Sequence, residues 1–248
     1  MRTLRTVPAA CSISLTFGTA LMLGACGTVP GPAAFGPNGK VQAAQTSVPA
    51  LGSGVLDEEA ARTLRFMREE EKLARDVYVV LDARFAHPTF THIARSEQRH
   101  FDALGRVLSA YGAADPVGED VAGRFADPDL QALYDRLVTD GSASLPAALG
   151  VGALIEETDI QDLDVALSDA PPVDVAAVYE RLRAASGNHL RAFTGGLAAV
   201  GVSYAPQVLE PERYLAALAS RGGRGGGGGC GAGQGRCDGT CGRGVGGR

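Results

Sequence analysis

The chain has 248 residues, 45% of them hydrophobic, and a net charge of −5. That length holds one large domain or two small ones, and the composition is ordinary for a soluble globular protein. Charge is uneven: Arg2, Arg5 and Lys40 precede Asp57, and five arginines against one aspartate follow Ser220, so residues 57–220 carry −12, which disfavours nucleic acid as a partner and suits a surface that attracts cations.

The first 26 residues predict an export signal. Arg2 and Arg5 lead into the apolar run "PAACSISLTFGTALML", too short and too early for a lasting membrane span. The following "LGAC" resembles the bacterial lipobox, which implies a signal peptide over 1–26 and lipidation of Cys26. By resemblance to enterobacterial sorting, Gly27 after that cysteine points to the outer membrane in a Gram-negative cell. Lipid attachment tethers a chain without making it span. Residues 27–56 are rich in Gly, Pro, Ala, Ser and Thr with only Lys40 charged, and read as a flexible spacer.

From Asp57 to Val200 the apolar residues repeat with the helical period. A first helix is expected from about Asp57 to Ala83, with Asp57 as N-cap. "AHPTF" breaks it, and Thr89 or Thr91 caps a second helix that ends near "YGAADP". A loop over 112–126 and a short helix in "DPDLQALYDRLVTDG" follow. A third long helix covers about Ser144 to Leu167, and a fourth runs from near Pro172 to Val200, with a final turn in "PERYLAAL". The expected fold is all-α, a four-helix bundle over 57–220 with an extra short helix between the second and third long helices. Residues 221–248, 15 of them glycine, hold Cys230, Cys237 and Cys241 and read as a disordered Gly/Arg/Cys-rich tail. Their spacing matches no zinc pattern, and an odd number of exported cysteines leaves one for a free thiol or intermolecular pairing.

The candidate chemistry lies on the inward stripes. On the second helix Ile93, Glu97, His100, Leu104, Val107 and Leu108 recur at three- and four-residue steps, so an E-x-x-H pair aims one oxygen and one nitrogen ligand at a common point. Glu156 sits in the third-helix stripe with Leu149, Ala153, Ile160, Leu163 and Leu167, and Glu157 falls on its flank. His189 lies in the fourth-helix stripe with Val175, Val178, Leu182, Phe193 and Leu197. The first helix offers two adjacent faces, Phe66, Glu70, Leu73 and Val77 or Met67, Glu71, Ala74, Tyr78 and Leu81. Buried carboxylates and imidazoles at these places need partners or a metal ion. His87 and His92 are expected to face solvent.

"EKLARDVY" (71–78) resembles the first-helix signature of ferritins and rubrerythrins, and "EQRH" (97–100) their second-helix E-x-x-H. The stretch from about Leu56 to Glu212, with "VGALIEETDIQDL" and "GNHLRAF", resembles the uncharacterised bacterial ferritin-like family termed domain of unknown function 2202. The resemblance implies a ferritin-like bundle, prefers Glu71 over Glu70, and gives Glu71, Glu97, His100 and Glu156 as metal ligands, to which the inward stripe of the fourth helix adds His189. Tyr78, Glu70, Glu157, Asp159 and Ser186 then surround them, Tyr78 donating to a ligand carboxylate. Where rubrerythrins repeat E-x-x-H, this chain has "SGNH", with Ser186 in place of the carboxylate. Two metals with water in the gap, Asp159 or Glu157 as substitute, and a single metal all remain open.

Two iron ions are the expected cofactor, with manganese or zinc as alternatives for the same donors. The partners expected are metal ions and the membrane, through the lipid. The implied activity is oxidation of ferrous iron or peroxide handling, in a chain without a rubredoxin-like cysteine motif. The competing readings are a metal-binding lipoprotein without turnover, and an interaction module whose acids pair with Arg75, Arg95 or Arg99.

Overall fold

The structure, a computed structural model, describes residues 50–220. The expected signal, Cys26, the spacer up to residue 49 and the tail lie outside the described residues.

The described residues are all-α, with α1 (Glu58–Phe85), α2 (Pro88–Ala110), α3 (Pro128–Gly141), α4 (Leu145–Ser168), α5 (Val173–Ala199) and α6 (Pro211–Ala219). Local chemistry sets the boundaries. Asp57 accepts from the Ala60 N–H at the start of α1, and Ala86, left-handed at φ 49°, closes it. Asp127 and Ser144 cap α3 and α4 in the same manner, each with proline in the first turn. The start of α2 differs from expectation. Pro88 occupies its first turn, and His87, rather than either threonine, is the cap that accepts from the Thr89 N–H; the proline ring suits the first helical position and so makes the residue before it the cap. The expected final turn is a nine-residue helix, α6, lying on α5.

Two antiparallel hairpins, α1/α2 and α4/α5, form the bundle, and α1 meets α4 while α2 meets α5. The short α3 lies against α1 and α4. Residues 50–56, expected within the spacer, lie on the bundle: the Gly52 N–H donates to Asp174 Oδ2 at 2.8 Å, and Leu56 packs on the core. Gly52 has φ +79°, and a Cβ there would sit 2.6 Å from the Ala110 carbonyl oxygen, so glycine is required on both counts.

The apolar core is in two parts. One gathers Leu73, Leu81, Phe90, Leu149, Leu190 and Phe193; the other gathers Leu64, Met67, Leu104, Leu108, Leu163 and Leu182. Between them every long helix places a polar layer: Glu70 and Glu71 on α1, Glu97 and His100 on α2, Glu156 and Asp159 on α4, Ser186 and His189 on α5, all buried.

α1 is buried on all sides from Met67 to Tyr78. The outer cover is the loop after α2. Arg68 pairs with Asp115 and stacks on Phe101, Lys72 pairs with Asp76 at 2.6 Å and donates to the Val121 carbonyl, and Arg75 bonds Gln98 and Asp120. The Asp76 carboxylate accepts from the Gly123 N–H, and Glu69 accepts from the Ala126 and Asp127 N–H groups. Phe66, expected on an inward face, is exposed instead, because Leu64 and Met67 fill that part of the core.

Candidate metal centre

Helical spacing explains how four helices reach one point. Glu97 and His100 are one turn apart on α2, as are Glu156 and Asp159 on α4 and Ser186 and His189 on α5, so each pair shares a face. Two groups of potential ligand atoms result, Glu71–Glu97–His100 and Glu97–Glu156–His189, with the atoms of each group within 4.8 Å of one another. Glu97 belongs to both. Its carboxylate lies between the two imidazoles, with Oε2 2.7 Å from His100 Nδ1 and Oε1 2.8 Å from His189 Nδ1. His100 Nδ1 is also 3.3 Å from Glu71, and His189 Nδ1 3.3 Å from Glu156. The rings stack with centroids 5.6 Å apart. The arrangement is nearly symmetric: one acid from α1 or α4, one imidazole from α2 or α5, and a shared carboxylate.

Partners around this cluster orient it. The Tyr78 hydroxyl donates to Glu156 Oε1 at 2.6 Å, and its ring is held against Phe193 and Phe90. Gly152 permits this packing, since a Cβ there would lie 2.4 Å from the Phe193 ring. Ser186 donates to Asp159 Oδ2, which ties α5 to α4 beside the cluster, though Asp159 belongs to neither ligand group. Asp159 Oδ1, Glu71 Oε1 and Glu70 Oε2 are buried and receive no N–H or hydroxyl donor. Glu70, Glu71, Glu97, Glu156 and Asp159 line a void of about 10 Å³, on the scale of one small sphere. A far larger hollow of about 820 Å³ opens where α1 begins and α4 ends, but no ligand group converges in it.

Electrostatics follow from crowding charge out of water. Burial opposes the charged Glu97 carboxylate, but His189 and His100 outweigh it and hold its pKa well below the usual range. Burial works against the His189 imidazolium too, yet Glu97 and Glu156 raise its pKa to about 10. His100 is likewise raised, by Glu71 and Glu97 against burial. Burial, reinforced by Glu156, pushes Asp159 up to about 7, and burial also raises Glu70, Glu71 and Glu156. Without a bound cation the cluster therefore retains protons that water would remove.

Not every expected site residue joins the cluster. Glu157 is fully buried, but its Oε2 accepts from the Tyr204 hydroxyl at 3.0 Å and from the Gln207 and Val208 N–H groups, fixing the segment after α5. One residue beyond Glu156 is a turn of about 100° around the helix, which carries Glu157 off the cluster and removes it as the substitute carboxylate. Glu70 lines the void but belongs to neither ligand group, and Asp162 adds to the effect of burial in raising its pKa. His92 is exposed, and His87 is the half-buried cap of α2. Arg75 serves the covering loop while Arg95 and Arg99 are exposed, so none of the three arginines neutralises the cluster. Sequence reading missed Asp162, although it lies one turn beyond Asp159. It also missed the covering loop, whose Asp115 and Asp120 are opposite in charge to Arg68 and Arg75.

The chain is 42% identical over 170 residues to the uncharacterized protein MJ0754 of Methanocaldococcus jannaschii, covering 68% of this chain and 92% of that protein. The crystal structure of hypothetical protein MJ0754 from Methanococcus jannaschii DSM 2661 superposes with a TM-score of 0.67 at 41% identity, covering 71% of this chain and 99% of the other. A family described as an uncharacterized protein domain, DUF2202, matches residues 60–220, and the chain belongs to that family.

Proposed function

We propose that this chain is a ferritin-like metal-binding protein of the cell envelope, lipid-anchored through Cys26, whose bundle holds two transition-metal ions at Glu71, Glu97, His100, Glu156 and His189. The observation that carries this reading is the pair of three-residue ligand groups sharing Glu97. Buried carboxylate oxygens without donors at Glu71 and Asp159 support it, since such groups are costly unless a cation satisfies them. Mixed carboxylate and imidazole donors suit iron first, then manganese or zinc. A pair of redox-active ions would supply electron exchange with oxygen or peroxide, the chemistry of an oxidase or peroxide-handling protein.

The protein's own residues have defined parts in this reading. Glu97 orients both imidazoles, Tyr78 holds Glu156 by its hydroxyl, and Ser186 fixes the rotamer of Asp159. The two apolar half-cores exclude bulk water from the polar layer.

The test is elemental analysis of the full chain, purified without a metal-affinity tag, beside a Glu97→Ala/His100→Ala variant. Close to two ions per chain, lost in the variant, is expected. No metal after anaerobic loading with ferrous iron would refute the proposal and move attention to the bundle as an interaction module. Near-ultraviolet absorption after exposure to air separates a di-iron centre from a zinc one.

A further inference from the structure

This inference rests on the metal reading. The five proposed ligands are at most 9% exposed, so an ion from solution has to cross the helix layer to reach them. Between α1 and α4 that layer is acidic. An open cleft of about 650 Å³, bounded by α1, the start of α3 and the second half of α4, is lined by five acids and two arginines. Both arginines are engaged, Arg62 with Glu59 and Arg65 with Glu58.

Asp162 stands half-buried in the wall of this cleft, and its carboxyl lies near enough to Glu70 to raise the Glu70 pKa, with burial the larger cause. Glu70, 6% exposed, in turn lines the inner void beside Glu71, Glu97, Glu156 and Asp159. No N–H or hydroxyl reaches Glu70 Oε2 or Asp159 Oδ1. The cations of α1 give no relief, because Arg68, Lys72 and Arg75 are all directed to the loop on the other side. Among the described residues Asp162 in the cleft wall and Glu70 in the void wall thus have no basic partner, and they stand between open solvent and the ligands.

We propose that Asp162 and Glu70 form a transit site through which a divalent cation passes from the α1/α4 cleft to the inner ligands. Hard oxygen donors attract such an ion. Passage requires binding strong enough to admit the ion and weak enough to release it. Glu70 meets the second condition because it belongs to neither ligand group, so the ion gains donors by moving on.

The experiment follows uptake of manganous ion by the metal-free full chain, using loss of the aqueous ion's electron paramagnetic resonance signal. Glu70→Gln and Asp162→Asn are compared with the unaltered chain. Focused charge changes association rates by about ten- to a thousandfold, so each variant is expected to reach the same final number of ions at least about tenfold more slowly. Loading at the original rate in both variants overturns the route. A reduced final ion count in a variant whose melting curve is unchanged also overturns it, because the residue then holds metal rather than passing it. An unaltered chain that takes up no manganous ion refutes the metal reading itself, and the route falls with it. The half-buried position of Asp162 keeps the comparison valid if the Glu70 variant folds poorly.

Discussion

Glu97→Gln is the most informative single change, because one carboxylate serves both ligand groups and both imidazoles. The substitution keeps side-chain volume at a site 2% exposed, so its effect is electrostatic rather than steric. In the metal-free protein it removes the partner 2.7 Å from His100 and 2.8 Å from His189. Breaking a buried ion pair by removing one partner costs about 3–5 kcal/mol. Glu71 and Glu156 stay beside the imidazoles at 3.3 Å, which places the expected loss near the lower end, about 3 kcal/mol. For a domain of this size that lowers the melting temperature by roughly 6–12 °C. Calorimetry of the chelator-treated protein at pH 7 measures it. The same variant should bind neither ion, whereas His100→Ala and His189→Ala should each retain one. A Glu97→Gln protein that melts within about 2 °C of the original, where a loss of 3 kcal/mol predicts several degrees, and still holds two ions would refute the shared-carboxylate geometry.

Tyr78→Phe leaves Glu156 Oε1 without its 2.6 Å donor; an expected loss of about 1–3 kcal/mol is read by denaturant titration, with metal affinity about 10–100-fold weaker by competition with a chelator. Gly152→Ala forces a methyl to within 2.4 Å of the Phe193 ring, and overpacking of about 1–3 kcal/mol should appear as a lower melting temperature. Metal loading at pH 7 should release at least about two protons, since ligation requires neutral imidazoles and both are held protonated, with any further release coming from Glu71 and Glu156, whose pKa burial raises; a weakly buffered indicator dye counts them. The raised pKa of His189 stabilises the metal-free fold fully below its unfolded value of 6.5, and that contribution is lost as pH rises through about 10. Chelator-treated protein melted from pH 6 to 10 should therefore lose stability progressively.

The helices were legible because each long segment carries its own periodicity and stop signals. α4 and α5 were expected at 144–167 and 172–200 and are found at Leu145–Ser168 and Val173–Ala199. The cap of α2 was misplaced because threonine is a common cap, and the weaker imidazole of His87 prevails only through the adjacent proline. Within the candidate site, Glu97, His100, Glu156 and His189 stood out as polar breaks in apolar stripes. Choosing Glu71 over Glu70 needed a resemblance, because both acids lie beside the core. Glu157 shows the limit of burial as a guide: it is as buried as any ligand candidate, but its burial comes from the chain after α5, a long-range contact that no local pattern displays.

The placement of the polar layer connects stability to the proposed activity. A layer of five buried acids, a half-buried one and two imidazoles (Glu70, Glu71, Glu97, Glu156, Asp159, then Asp162, with His100 and His189) cannot hold a bundle together by itself, because desolvation of charge opposes each carboxylate. The fold tolerates it because an apolar half-core lies on either side and because the covering loop clamps α1 through Arg68, Lys72 and Arg75. Those three cations could have neutralised the inner acids, yet the helix turns them outward, leaving Glu71 to His100 alone and Glu70 without a cation beside it among the described residues. A chain built only for stability would match its acids with as many bases across that layer, whereas here two imidazoles face six acids. Six acids held by Tyr78, Ser186 and only two imidazoles are instead what a site needs if a cation from solution is to complete it.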